Sequence, residues 1–236
     1  MYTPSALGPT PRSKRGLQSA TKITPEALVT VKEALAAGIT RGNLRGPAFH
    51  PVLRGVHARF DHPDPAGLPT LVKAALKTTN PMVLAASLTA LILMGVQIPY
   101  RLARDQQIHV LAPTRGAYPE RKQLKVHWST KISDVPKVVT QQGIRSCDPI
   151  EAWMQVAKIA HHEELVQLGD QLVRRDNPLT TMAELRRRVA QCAGRRHIRK
   201  LRRALEDVRP GTQSIYETWL RRLSLDAGLP EPEINP

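Results

Sequence analysis

The sequence predicts an α+β protein. Strand-like stretches rich in β-branched residues fall at 50–60 and between about 106 and 146. Capped, periodic helical stretches dominate from Asp148 onward. Hydrophobic residues make up 41% of the 236-residue chain but aromatics only 4%, so the core that joins these elements is expected to be aliphatic.

Element by element, residues 1–23 carry Pro, Ser and the basic Arg12, Lys14, Arg15 and Lys22 and read as a flexible basic arm. "TPEALVTVKEALAAGITRGNLRG" then becomes helical. Thr24 is the expected cap, Pro25 suits the first helical position, and Gly38 is the stop. Thr40 caps a second short helix through Leu44 that carries Arg41, Asn43 and Arg45. "HPVLRGVHARF" reads as a strand or small hairpin about Gly55. Two short helices joined at a glycine and followed by a hairpin form a winged-helix-like segment, residues 24–60. Arg54 and Arg59 lie on its wing, where both are expected to touch DNA phosphates. Over residues 1–60, nine Lys or Arg against Glu26 and Glu33 leave +7.

"DHPDPAG" (61–67) is a turn-rich linker. Residues 68–146 read as a small α+β unit. It comprises a helix ending near Asn80-Pro81, an apolar helix "PMVLAASLTALILMGV" stopped at Gly95, strands in "QIHVLAP" and "QLKVHWST" around a loop "TRGAYPERK", and one or two short strands in "DVPKVVTQQGIRS". Ser87, inside the apolar helix, reads as packing. Helices are expected near 149–160, 163–175, 182–193, 196–206 and 215–227. Asp148-Pro149, Thr181…Glu184 and Ser214…Glu217 mark starts, and Gly194 and Gly228 mark stops. Residues 147–209 therefore form a C-terminal helical region, with 210–236 set apart.

Charge narrows the function classes. Lys and Arg number 35 against 20 Asp and Glu, a net charge of +15, which favours nucleic acid as partner over acidic proteins or an anionic surface. The densest run, "RRRVAQCAGRRHIRKLRR" from Arg186 to Arg203, holds nine Lys or Arg and no acid. Leu185, Val189, Ile198, Leu201 and Leu205 supply its buried stripe. The expectation is that the basic residues face outward, with Arg186, Arg187, Arg195, Arg196, Arg199, Lys200, Arg202 and Arg203 on DNA phosphates. Like charges at helical spacing repel by a few tenths of a kcal/mol per pair, which a polyanion relieves. Without aromatic interleaving, single-strand stacking is not expected.

Other chemistries lack their residues. Cys147 and Cys192 are far apart with no CxxC, which fits a reducing cytoplasm rather than a disulfide scaffold or zinc site. His161 and His162 are adjacent and point to different helix faces, so no metal is expected. No phosphate-cradling, dinucleotide, nucleophile-elbow or zincin motif occurs, and no cofactor is expected. The longest apolar run, Met82 to Gly95, is short of the roughly 20 residues that span a bilayer; no membrane partner and a cytoplasmic location are the expectation.

Three stretches, "AGITRGNLRG…HPVLRGVHAR", "VLAASLTALILMGVQIP…IHVLAP" and "LVQLGDQLVRRDNPLTTMAEL…VRPGTQSIYETWLRRLSLDAGLPEPEIN", together resemble the AbiEi-type antitoxin group of type IV toxin–antitoxin systems over roughly residues 26–236. Many members end in a nuclease-like domain similar to very-short-patch-repair endonucleases of the PD-(D/E)XK class. The resemblance implies a recognition helix at Arg41, Asn43 and Arg45, a basic wing at Arg54, and a toxin as protein partner. It implies that the tail from Ser214 corresponds to the first helix of the nuclease-like domain, with Glu217 as the one candidate catalytic residue. The remaining Asp and Glu-x-Lys of such a site would lie beyond Pro236. The expected function is a non-catalytic, antitoxin-like regulator that binds double-stranded DNA. The alternatives are a truncated endonuclease and an interaction module for an acidic protein.

Overall fold

The computed structural model describes residues 21, 23–79, 81–114 and 122–234. It bears out an α+β class, with two small sheets and a C-terminal helical region. Residues up to Pro81 form one compact unit and those from Met82 onward another. The arm at 1–20 and most of the "TRGAYPERK" loop lie outside the described residues.

In the first unit, Leu28–Thr30 (β1), Phe49–Leu53 (β2) and Val56–Arg59 (β3) form an antiparallel sheet in the order β1-β3-β2. Between β1 and β2 come the helices Val31–Ala36 (α1) and Arg41–Arg45 (α2). β2 and β3 join through the two-residue turn Arg54-Gly55, where Gly55 takes φ +85°. This left-handed conformation strains residues with a Cβ. Val29, Ala34, Ile39, Leu44, Ala48 and Phe49 close the core. The first helix starts later than the sequence suggests. Leu28 and Val29 pair with Ala58 and His57, and a reciprocal Thr30–Glu33 capping box opens α1 at Val31. Leu68–Lys77 (α3) packs on β2 and β1. Residues 61–67, read as a linker, and α3 thus fall within the first compact unit, which ends at Pro81.

In the second unit, the strands are Leu84–Ala85 (β4), Ile108–Ala112 (β5), Leu124–Trp128 (β6), Lys137–Val139 (β7) and Arg145–Cys147 (β8). They form a mixed sheet in the order β6-β5-β4-β8-β7. β5 and β6 run parallel, β4 runs antiparallel to β5 and parallel to β8, and β7 is antiparallel to β8. The apolar segment from Met82 is thus not one helix. Leu84 and Ala85 pair with Leu111 and Val110, and only Ser87–Leu93 (α4) is helical. Ser87 makes the corner at φ +50°, its N–H donating to Gln155 Oε1 at 2.9 Å.

A short helix, Tyr100–Ala103 (α5), precedes β5. Five helices follow the sheet: Pro149–Val156 (α6), His162–Leu172 (α7), Met182–Gln191 (α8), Ile198–Asp207 (α9) and Ile215–Asp226 (α10). All five lie where the sequence places helices. α6 packs on α4, and α7 is the hub against which α6, α9 and α10 pack. The core around Trp153, Leu165, Leu168 and Leu172 is aliphatic apart from that tryptophan, whose Nε1–H donates to the Leu165 carbonyl at 2.9 Å. Gly169 in α7 lets the chain after α9 come close. A Cβ there would meet Val208 Cγ2 at 2.5 Å. Residues 210–226 belong to this unit, because α10 is bonded into α7.

Candidate nucleic-acid interface

In the first unit, Thr40 opens α2 by accepting the Asn43 N–H at 3.1 Å, and its hydroxyl donates to the Asn43 side-chain oxygen. Leu44 is the buried anchor, so Arg41 and Arg45 point outward. The tight turn at Gly55 puts Arg54 at the hairpin tip. Arg41, Arg45 and Arg54 line one cleft of about 520 Å³ together with Val31, Leu44 and His57. None of the three arginines has an ion-pair or hydrogen-bond partner among the described residues. Asn43 is half-buried and spends its side chain on the cap. The buried Nδ1 of His57 has no partner among the described residues, and burial holds the His57 pKa below its usual value.

Arg59 does not join them. It folds back, donating to the Ile23 carbonyl at 2.6 Å and to both carboxylate oxygens of Asp61 at 2.9 and 2.6 Å. Arg59 is a brace for the base of the hairpin, and the expectation that it reaches phosphate is corrected.

In the second unit the Arg186–Arg203 run divides. Leu185 and Val189 on α8, with Leu201 and Ala204 on α9, are buried. Arg199, Arg202 and Arg203 follow at helical spacing on the opposite face of α9 and are exposed. Arg186 on α8 and Arg196 in the connection are exposed as well. Arg186 and Arg202 flank a groove of about 300 Å³ between α8 and α9 that also includes Glu206. No partner is found for these five arginines among the described residues.

The other basic residues of the run are engaged, which corrects the expectation that all face outward. Arg188 holds Asp148 at 2.7 Å. Arg195 grips Glu151 with two 2.7 Å bonds. Lys200 donates to the carbonyls of Ala157, the C-cap of α6, and of Ala160 in the turn that follows. Arg187 is exposed but pairs bidentately with Glu184 at 2.6 and 2.7 Å, one turn away. Glu184 is thereby drawn off the capping box expected at Thr181, of which only the Glu184 N–H to Thr181 Oγ1 bond remains.

Glu217 accepts from the Gln213 N–H and the Ser214 hydroxyl, both at 3.0 Å, and so closes the start of α10. His162 Nε2 lies 2.8 Å from Asp207. Among the described residues no group of three His, Cys, Asp or Glu side chains could hold a metal ion, and no helix is long and apolar enough to cross a membrane. Both cysteines are free thiols; burial pushes the Cys147 thiol up to about 12.

Two buried polar groupings were not anticipated from the sequence. Asp170 and Arg221 form a fully enclosed ion pair at 3.1 Å between α7 and α10. Asp170 also accepts from the Thr218 hydroxyl and the Arg209 N–H, each at 2.8 Å. Burial still pushes its carboxyl up to about 6.

The second grouping runs through the sheet. Asp105 accepts from Lys125 at 2.8 Å and lies 3.2 Å from His109 Nε2, and His109 Nδ1 lies 3.2 Å from His127 Nε2. Because the carboxylate only accepts, His109 donates from Nε2, and His127 Nε2–H donates to His109 Nδ1. His127 lines a cleft of about 530 Å³ with Trp128, Cys192 and the already paired Arg188 and Arg195.

Burial, then the neighbouring His109, lowers the His127 pKa to about 4, and burial lowers His109 as well. Unfolded histidine binds its proton near pH 6.5. Between pH 6.5 and 4 the unfolded chain therefore holds more protons, and stability falls as pH falls, by about 3 kcal/mol from His127. Asp170, with its raised pKa, works in the opposite direction between about pH 4 and 6. Equilibrium unfolding at pH 7 and pH 4.5 is expected to show a smaller acid loss in His127→Gln than in the parent. Equal losses would show that His127 is not held neutral.

Comparison with known proteins adds no relative to this geometry: no family model matches the chain, and no curated protein matches it.

Proposed function

We propose that the protein is a non-catalytic, antitoxin-like regulator that binds double-stranded DNA. The observation that carries this reading is the cleft where Arg41 and Arg45 of α2 meet Arg54 of the wing with no carboxylate among them. Unpaired cations drawn together repel, and a partner that supplies phosphates and base edges relieves the repulsion. A short helix in the major groove, followed by a hairpin on the backbone, is how helix-turn-helix proteins dock. Arg41 and Arg45 would then reach base edges and Arg54 a phosphate. Arg186, Arg196, Arg199, Arg202 and Arg203 would add phosphate contacts without sequence preference.

The test is discrimination between an own-promoter duplex and a random one. Each good bidentate arginine–guanine contact is worth roughly 1–3 kcal/mol. In Arg41→Ala/Arg45→Ala, fluorescence anisotropy is expected to show the ratio of the two affinities falling on the order of tenfold or more. A ratio unchanged from the parent would remove α2 from the interface.

A further inference from the structure

α10 is inside out. Its inner face against α7 is Ile215, Thr218 and Arg221, and the last two are committed to Asp170. Its outer face is apolar. Tyr216, Trp219, Leu220 and Leu223, at i, i+3, i+4 and i+7, form one stripe. They are 74%, 54%, 58% and 49% exposed. Leu229, just beyond the Gly228 stop, is exposed too. The neighbouring α9, by contrast, keeps Leu201 in and its arginines out.

We infer that this stripe is where a second copy of the chain docks, α10 against α10 about a two-fold axis. Area and charge both point there. The four side chains leave bare roughly 500 Å² of surface, near the top of what a monomer ordinarily shows. Two such faces together bury about 1,000 Å², the threshold for a specific interface, of the small kind that dissociates on dilution. A stripe along one helix is self-complementary under two-fold rotation, as a closed dimer requires.

The charges around the stripe are already balanced. Arg221 holds Asp170 and Glu231, and Arg222 holds Glu163 and Asp207. Glu217 and Asp226 also lie on this helix. The unpaired cations that would attract DNA or an anionic lipid surface lie on α9, not here, which leaves an apolar, charge-balanced face like itself as the fitting partner. The inference does not depend on DNA binding.

Sedimentation equilibrium of the full chain, free of nucleic acid in 0.5 M salt, tests it. The parent is expected to pass from mostly monomer at about 1 μM to mostly dimer at about 100 μM, the range a contact of this size supports. Trp219→Asp and Leu223→Asp are expected to remain monomeric at the higher concentration while melting as the parent does. If either aspartate variant fails to fold, Leu220→Gln and Leu223→Gln serve, and are expected to weaken the dimer at least tenfold. Arg199→Ala, on the other surface, is expected to dimerise like the parent. A parent that stays monomeric at 100 μM, folded stripe variants that dimerise unchanged, or a stripe that takes up neutral phosphatidylcholine vesicles without self-association would each overturn the inference.

Discussion

Replacing Asp170 by alanine is expected to destabilise the protein by about 3–5 kcal/mol, the usual cost of breaking a buried ion pair by removing one partner. The effect is large because Arg221 has no way out. Its side chain is 2% exposed. Of its nitrogens, one Nη has Glu231 at 2.9 Å, and the other has Asp170 and the Asp207 carbonyl. The buried Nε has no partner among the described residues. Without Asp170 the guanidinium keeps its charge in an apolar setting with only the partly exposed Glu231 to balance it. The same change strips acceptors from Thr218 and from the Arg209 N–H.

Asp170 thus ties α7, the turn after α9 and α10 into one piece. Denaturant unfolding monitored by far-ultraviolet circular dichroism measures the loss. Asp170→Asn keeps an acceptor of the same shape and is expected to lose less. If Asp170→Ala loses under about 1 kcal/mol, water reaches Arg221 and the pair is not the clamp described. In a protein with only about 5–15 kcal/mol of total stability, the expected loss is a large share.

Removing Arg199, Arg202 and Arg203 together is expected to weaken DNA binding on the order of 100-fold or more at low salt. Each phosphate contact contributes about 0.9 to the slope of log affinity against log salt, so the triple alanine variant should be shallower by about 2.7. Stability should hardly change, since none of the three contributes to the buried face of α9. Random and own-promoter duplexes should lose equally, because phosphate contacts carry no sequence information. The informative control is Arg187→Ala, lying one residue from Arg186 but already paired with Glu184. Its slope is expected to stay near the parent's. A triple variant with the parent's slope would make the α9 arginines an ordinary solvated surface.

What the sequence reveals and what it hides follow one physical line. Most local signals read correctly; the exception is Thr24-Pro25, since the first helix opens at Val31 behind Thr30. Thr40 before Arg41, Asp148 before Pro149, Thr181 before Met182 and Ser214 before Ile215 each cap the helix that they announce, because the cap bond spans only three residues. The Leu53-Arg54-Gly55-Val56 hairpin was equally legible. The misses are set by distant partners. Leu28–Thr30 and Leu84–Ala85 have helix-like flanks; the strand at 56–58 makes the first a strand, and those at 110–111 and 145–147 the second.

The basic run shows the same limit. Arg195 and Arg196 are adjacent and chemically identical. One meets Glu151, 44 residues away, and the other meets solvent. Helical periodicity sorted Arg199, Arg202 and Arg203 correctly outward, but no spacing rule pairs Arg188 with Asp148. The histidine chain was hidden because His109 and His127 meet only through the register of β5 on β6. The sequence marks the start and stop of α10 but not which of its faces turns inward. Its inversion was visible in Tyr216, Trp219, Leu220 and Leu223 only once Arg221 was known to point inward.

The arginines left without carboxylates are there, on this reading, to meet a polyanion. Fluorescence anisotropy of the parent with own-promoter and random duplexes, from 50 to 300 mM salt, tests it most directly. Saturable binding to both duplexes is expected, tighter to the former, with an affinity that falls steeply with salt by several log units per log unit. No change in anisotropy with either duplex at 50 mM salt would contradict it.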